Sequence, residues 1–280
     1  MKSMKWFSLA ALCVGGAIFA FTACQKSSSA SSSVPPGQQK FNMYLTDGPV
    51  NYQAVNIDIQ SIIVFLKTDS CTASGYVGAD STFPCYHWDT LNIHPGVYNI
   101  LDFQNGIDTL FSSTTLEAGK ILKIRVILGN DNSLEAGGET FPLSLPWGNT
   151  VDVVVDDVQQ VDPSTFELWL DFDAAHSIIE VRHQEFILKP CIRLFTKQNS
   201  GAVKGNVQPG AADAFVSVVS GQDTMIALPG PLGNWEIRGI KNDTVSVNFI
   251  ATGNGYSDTT INNVSIMPGQ TTNLGTVYLH

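Results

Sequence analysis

Lys40-Phe41-Asn42-Met43-Tyr44-Leu45-Thr46-Asp47-Gly48-Pro49 sets the reading of the folded part of this chain. Phe41, Met43 and Leu45 alternate with Asn42, Tyr44 and Thr46, so successive side chains fall on opposite faces as in a β-strand, and Asp47-Gly48-Pro49 turns the chain. The same period of two returns at Val55-Ile57-Ile59, which continues into an apolar run to Leu66 and predicts a second half covered on both faces. It returns again at Leu122-Ile124-Val126-Leu128, Phe141-Leu143-Leu145, Val151-Val153-Val155 and Phe166-Leu168-Leu170-Phe172. No stretch carries a long helical period. Ala174-Ala175-His176-Ser177 predicts a short helical turn, with Asp173 placed to cap it. Phe186 to Phe195, interrupted by Pro190, reads as an edge or bulged strand. Short strands at close spacing between Gly, Pro and Asn turns predict an all-β chain.

Thr196 to Gly201 reads as a short polar linker, after which strand signals restart. Val203–Val207, Phe215–Val219, Met225–Leu228, Trp235–Ile240, Val245–Ala251, Ile261–Ile266 and Leu274–Leu279 are seven candidates, the density of a small β-sandwich. The expected organisation is two β-sandwich domains, at 40–197 and 201–280.

The N-terminal side has a different character. Lys2 and Lys5 give a basic start, Trp6 to Phe21 is apolar, and Ala23 precedes Cys24, which together describe a secretory signal. The pattern resembles a bacterial lipoprotein signal over 1–23, and that resemblance implies lipid on the Cys24 thiol. Acyl chains anchor by about 0.8 kcal/mol per buried methylene, so more than one on a single residue gives stable attachment. A plain signal peptide or an uncleaved helix are the alternatives. The Ser-rich run to Gln39, with Pro35-Pro36-Gly37, has no periodicity and reads as a flexible tether over 24–39. The implied location is the cell envelope, anchored to outer-membrane lipid. Surface lipoproteins of the Bacteroidota often carry acidic residues after the cysteine, and Gln25-Lys26-Ser27 lacks them, so the membrane face is left open.

Three cysteines remain beyond the signal and the lipid site. Cys71 and Cys85 bracket a loop of small and turn-forming residues and are expected to form a disulfide in an oxidising compartment, stabilising by roughly 3 kcal/mol. Cys191, in an apolar stretch, reads as a buried free thiol. The formal charge of −10, with 15 Lys and Arg against 25 Asp and Glu, argues against nucleic acid or anionic lipid as a partner and leaves a cation or a neutral glycan open, with another envelope protein as a further candidate.

Tyr44-Leu45-Thr46-Asp47-Gly48-Pro49, Ile124 to Gly129, Leu170 to Ile178 and Leu188 to Arg193 resemble, in order, the domain of unknown function 4382 family. That resemblance implies an extracytoplasmic bacterial lipoprotein and names no activity. Gly201 to Val207, Ala214 to Val218, Gly233 to Ile237 and Val264 to Thr271 resemble a carboxypeptidase regulatory-like, transthyretin-type sandwich, which implies a spacer or interaction module.

Candidate chemistry is sparse. Asp171 and Asp173 stand two apart on one strand face, and Asp47 meets them if the first and late strands pair; such oxygens suit a structural calcium ion. The alternative is that Asp173 caps the turn and Asp171 bonds local backbone. Trp88, Trp147 and Trp169 are candidate ligand-stacking aromatics. Six Asp-Ser/Thr pairs followed by an aliphatic residue, Met or Thr resemble the Bacteroidota O-glycosylation acceptor, with Ser81, Thr90, Thr109, Thr224, Thr244 and Thr259 as acceptors. Asp-Thr turn chemistry at strand entries explains them equally. No nucleophile elbow, paired-histidine metal helix, Cys-x-x-Cys or phosphate loop is present, so the chain is read as no enzyme and no cofactor is expected beyond that calcium. The expectation is a non-catalytic binding or scaffold protein, with a glycan-binding or adhesive protein as the first alternative and a hydrolase with an unrecognised site as the second.

Overall fold

The computed structural model describes residues 34–48, 50–68, 85–155, 165–221 and 223–280, and these are almost entirely β-structure. In chain order the strands of the first half are β1 (Gln38–Thr46), β2 (Ala54–Thr68), β3 (Cys85–Thr90), β4 (Gly96–Asn99), β5 (Thr109–Glu117), β6 (Gly119–Leu128), β7 (Ser133–Ala136), β8 (Glu139–Ser144), β9 (Thr150–Val154), β10 (Thr165–Phe172), β11 (Ile178–Arg182), β12 (Glu185–Leu188) and β13 (Ile192–Phe195). The one α-helical turn described, α1 (Ala174–Ser177), lies between β10 and β11.

Two sheets form the first sandwich. Sheet I has the order β13-β10-β1-β5, and sheet II the order β11-β12-β8-β7-β2-β6-β9, with β3 and β4 also paired to β2. The 15-residue β2 is the spine of sheet II, because its length lets two short strands pair along each edge. In sheet I, β1 lies between antiparallel β5 and parallel β10, with Lys40 opposite Thr165 and Thr46 opposite Asp171. That central position buries polar Asn42, whose Oδ1 accepts from Ser113 Oγ at 2.9 Å. Phe41, Met43, Leu45, Leu168 and Leu170 of sheet I meet Ile57, Val64, Leu66, Ile124 and Val126 of sheet II in one core. Each such side chain stabilises the fold by about 1.5–3 kcal/mol.

The second half contributes β14 (Gly201–Gln208), β15 (Ala214–Ser220), β16 (Asp223–Ala227), β17 (Asn234–Ile240), β18 (Thr244–Ala251), β19 (Thr259–Ser265) and β20 (Thr271–Tyr278), so all seven candidate strands are present. They form sheet III, ordered β17-β14-β20, and sheet IV, ordered β16-β15-β18-β19. Their core is separate from the first: Val203, Val216, Ile237 and Val247 pack around Trp235, whose ring meets Phe249 edge-on at 5.6 Å.

Three expectations are corrected. The ordered chain begins inside the expected tether: Gln38 and Gln39 belong to β1, and buried Gln39 donates through Nε2 to the carbonyls of Glu117 and Gly119, each at 3.2 Å. The second half of β2 is fully buried on one face only; Ile63, Phe65 and Lys67 are half-buried on the outer face, where among the described residues no third layer covers sheet II. The expected linker is a hydrogen-bonded turn held by buried Thr196 and Ser200, with Lys197 and Gln198 exposed. Thr196 donates through its backbone N–H and Oγ1 to Asn199 Oδ1 at 2.8 and 3.0 Å, Ser200 Oγ donates to the Thr196 carbonyl at 2.7 Å, and residues 34–280 form one compact unit. Among the described residues no helix is long and apolar enough to cross a membrane.

Candidate functional site

Pro190 creates the arrangement at one end of sheet I. β12 belongs to sheet II and β13 to sheet I, so the chain changes sheet across Lys189-Pro190-Cys191. The crossover is tied down by Ser177, whose carbonyl accepts from Lys189 N at 2.8 Å and whose Oγ accepts from Cys191 N at 2.8 Å. β13 then sets Arg193 opposite Asp171, while the parallel pairing of β1 brings Asp47 to the same end.

The three carboxylates do converge there, around an arginine. Arg193 donates to Asp171 Oδ2 from Nε at 3.0 Å and from Nη2 at 2.7 Å, and its Nη1 lies 3.3 Å from Asp173 Oδ2. Asp173 also caps α1, accepting from His176 N at 3.1 Å, and its other oxygen is 2.7 Å from His176 Nδ1. Asp47 Oδ1 accepts from Ala174 N at 3.1 Å. Burial, reinforced by the negative charge of Asp171, pushes the Asp47 carboxyl well above its ordinary range, against the pull of the Ala174 N–H. Burial also raises Asp171, outweighing the Arg193 guanidinium beside it. Burial opposes the charge on Arg193, but Asp171 and Asp173 more than compensate and hold it charged. The positive charge at the expected calcium position is thus supplied by the chain, and among the described residues no group of three His, Cys, Asp or Glu is arranged to hold a metal ion. Ser177 Oγ is committed to donating to the Asp173 carbonyl at 2.6 Å, so the Asp173–His176 pair has no hydroxyl nucleophile there. Burial raises the Cys191 thiol, which keeps it protonated and unreactive.

A second charged group joins the two sandwiches. Arg238 of β17 donates from Nη1 to Asp108 Oδ2 at 2.6 Å and from Nε to Glu236 Oε1 at 2.8 Å, and Asp108 Oδ2 also accepts from Trp169 Nε1 at 2.9 Å. Asn105 donates to the Leu228 carbonyl at 2.9 Å. Close approach here demands glycine: a Cβ on Gly106 would stand 2.7 Å from the Glu236 carboxylate, and one on Gly239 2.8 Å from the Phe195 ring, both at positive φ. Beside this latch lies a cavity of about 320 Å³ lined by Asp171, Arg193, Phe195, Met225, Lys241 and Asn242.

The third feature is the outer face of sheet II. Register places Trp88 opposite Phe65, Phe65 opposite Lys123, and Lys123 opposite Val154; one row along, Ile63 faces Arg125, which faces Asp152. On the other side Tyr86 faces Lys67, which faces Lys120. Phe65 stacks on Tyr86 at 5.9 Å and lies 4.7 Å from Trp88, and the Arg125 guanidinium sits 4.5 Å from the Trp88 ring centre.

Of the expected stacking aromatics, Trp88 is 40% and Trp147 65% exposed. Trp169 is corrected: at 2% exposure it is packed between Tyr44 and Phe195, with the Lys197 ammonium 4.7 Å above it, because the second sandwich covers the face that the sequence assigned to solvent. Thr90 and Thr244 are exposed at strand ends, and Thr109, Thr224 and Thr259 are half-buried near strand starts. Asp108, which precedes one of them, is committed to the latch, and Asp258, which precedes another, accepts from Ala251 N at 2.9 Å. Cys24, Cys71 and Ser81 lie outside the described residues. Cys85 is disulfide-bonded. Sequence reasoning missed Arg193, Arg238 and the Lys67, Lys120, Lys123 and Arg125 group; alternation of Lys123 and Arg125 with the buried Ile124 was the one available signal for the last.

Fold and site together define an all-β sandwich protein whose buried arginine, Arg193, is paired with Asp171 and Asp173 of the same chain. The chain belongs to the family described as a domain of unknown function (DUF4382), whose profile matches residues 38–190. Among solved structures it is similar to the minor pilin GBS52 of Streptococcus agalactiae, at 11% identity and a TM-score of 0.23 over 85% of this chain and 95% of that one. It is also similar to the shaft pilin SpaA of Lactobacillus rhamnosus GG, at 8% identity and a TM-score of 0.23 over 87% and 97%. No curated protein matches the chain.

Proposed function

We propose that the protein is a non-catalytic component of the bacterial cell envelope, attached to outer-membrane lipid through Cys24 and acting as a scaffold or binding partner. The observation that carries this reading is the fate of the buried charges. Arg193, Asp171 and Asp173 satisfy one another, Asp47 is bonded to backbone, and Ser177 is committed to the crossover, so among the described residues the densest group of ionisable side chains holds the fold together and leaves the exposed His176 without a hydroxyl nucleophile beside it. In this reading Cys71 is the disulfide partner of Cys85, which places the chain in an oxidising space, and residues 201–280 serve as a carboxypeptidase regulatory-like module rigidly fixed to the first sandwich. O-glycosylation at the exposed Thr90 and Thr244 accords with the same location.

Cells expressing the wild-type and Cys24→Ser chains, fed an alkyne fatty acid and fractionated, test the anchor. Label and membrane sedimentation are expected for the wild type alone; an unlabelled, soluble wild-type chain refutes it. Cleavage of any polysaccharide or peptide in a broad substrate panel, lost in His176→Ala, would refute the non-catalytic role. A glycan-binding reading is favoured by the exposed aromatic face around Trp88.

A further inference from the structure

The outer face of sheet II concentrates positive charge on an otherwise acidic protein. Lys67, Lys120, Lys123 and Arg125 make four of the chain's 15 basic residues, and all four share one face of two neighbouring strands. Among the described residues Asp152 is the single carboxylate in that lattice, held by Arg125 Nε at 2.6 Å and Nη2 at 2.9 Å and by Lys123 Nζ at 3.4 Å. Among the described residues Lys67 and Lys120 have no carboxylate partner. Interleaved with these cations are Phe65, Tyr86 and Trp88, with Tyr86 54% and Trp88 40% exposed.

The geometry fits this face to one class of ligand. Four strands about 4.8 Å apart and rows about 6.8 Å apart give a flat platform of about 14 Å by 14 Å, room for two or three sugar rings. Apolar C–H faces of pyranose rings pack on aromatic faces, and the flanking Lys67 and Lys120 ammonium groups match anionic substituents. We infer that this face binds an anionic polysaccharide, one whose sugars carry carboxylate, sulfate or phosphate groups, and this inference rests on the binding role proposed above. Long nucleic acids fit less well. The chain as a whole carries a net charge of −10, which disfavours a long phosphate backbone, and disulfide-bonded Cys85 next to Tyr86 belongs to an oxidising space. A net charge of −10 left a cation or a neutral glycan open as partner; the local patch favours an anionic one instead.

The test uses the full chain in detergent, with polygalacturonate, neutral dextran, a single-stranded oligonucleotide and anionic lipid vesicles as probes in affinity electrophoresis and flotation. Retention by polygalacturonate is expected, falling steeply with added salt as charge screening shortens. Trp88→Ala should weaken retention about three- to tenfold, and the triple change Lys67→Ala, Lys120→Ala, Lys123→Ala should abolish it, both with an unchanged melting temperature. If Trp88→Ala fails to fold, Tyr86→Ala serves in its place. Equal retention by neutral dextran, preferential binding of the oligonucleotide or vesicles, no retention, or retention indifferent to these substitutions overturns the inference and leaves the non-catalytic role intact. Shortening of the polygalacturonate overturns that role instead.

Discussion

Replacing Arg193 by Met keeps most of the volume and apolar stem while removing the charge shared by Asp171 and Asp173. The guanidinium makes two hydrogen bonds to Asp171 and one close contact with Asp173, with only 16% of its side chain exposed. Removing one partner of a buried pair leaves the other uncompensated and costs about 3–5 kcal/mol. For a unit of this size that corresponds to a fall in melting temperature of about 6–20 °C. The pH dependence sharpens the test. Asp47 and Asp171 both have folded-state values above the ordinary carboxylate range, so the stability they contribute is fully present below the unfolded-state value, about 4, and is lost as pH rises through their raised values. Arg193 restrains that loss for Asp171, so its removal widens the window. Scanning calorimetry of both proteins between pH 4.5 and 8, values spanning about the titration range of a raised carboxylate, should show a deficit that is largest at the alkaline end and shrinks on acidification, as protonation discharges the orphaned groups. Asp47→Asn, which keeps an acceptor for the Ala174 N–H, should recover part of the loss. A deficit below about 1 kcal/mol, or one independent of pH, would refute the reasoning.

Asp108→Ala breaks the contact with Arg238 and strands the Trp169 indole N–H; it should cost about 1–3 kcal/mol and split a single calorimetric transition in two as the sandwiches uncouple. Gly129→Ala should cost about 1–3 kcal/mol in urea unfolding, because a Cβ there would fall inside the Asp58 carboxylate, which is fixed by Gln60 and the Asp131 N–H. Excess calcium or chelator should leave the melting temperature unchanged, since Arg193 supplies the charge an ion would bring; a rise with calcium would refute this.

Strand positions were legible because burial on one face imposes the period of two, and Ile57, Ile124 and Leu168 are fully buried as their alternation requires. The Asp173 cap was legible for a local reason: cap and helical turn lie within four residues. What depended on pairing between distant strands was not. Arg193 meets Asp171 only because Pro190 sends the chain from one sheet to the other, and nothing in the run from Phe186 to Phe195 marks which sheet each half joins. Trp169 alternates as a solvent-facing residue does, and periodicity cannot distinguish a face met by water from one met by a second sandwich. The basic face escaped notice because Lys67 and Lys120 are adjacent only through the β2–β6 register, while the whole-chain charge has the opposite sign.

The parallel pairing of β1 with β10 has a consequence for the order of events during synthesis. Lys40 finds its antiparallel partner Thr115 first, whereas its parallel partner Thr165 and the crossover that seats Arg193 come later, so a nascent chain has one flank of its opening strand in hand long before the sheet can be completed. The first sandwich therefore stays incomplete until well over half of the polypeptide has been made.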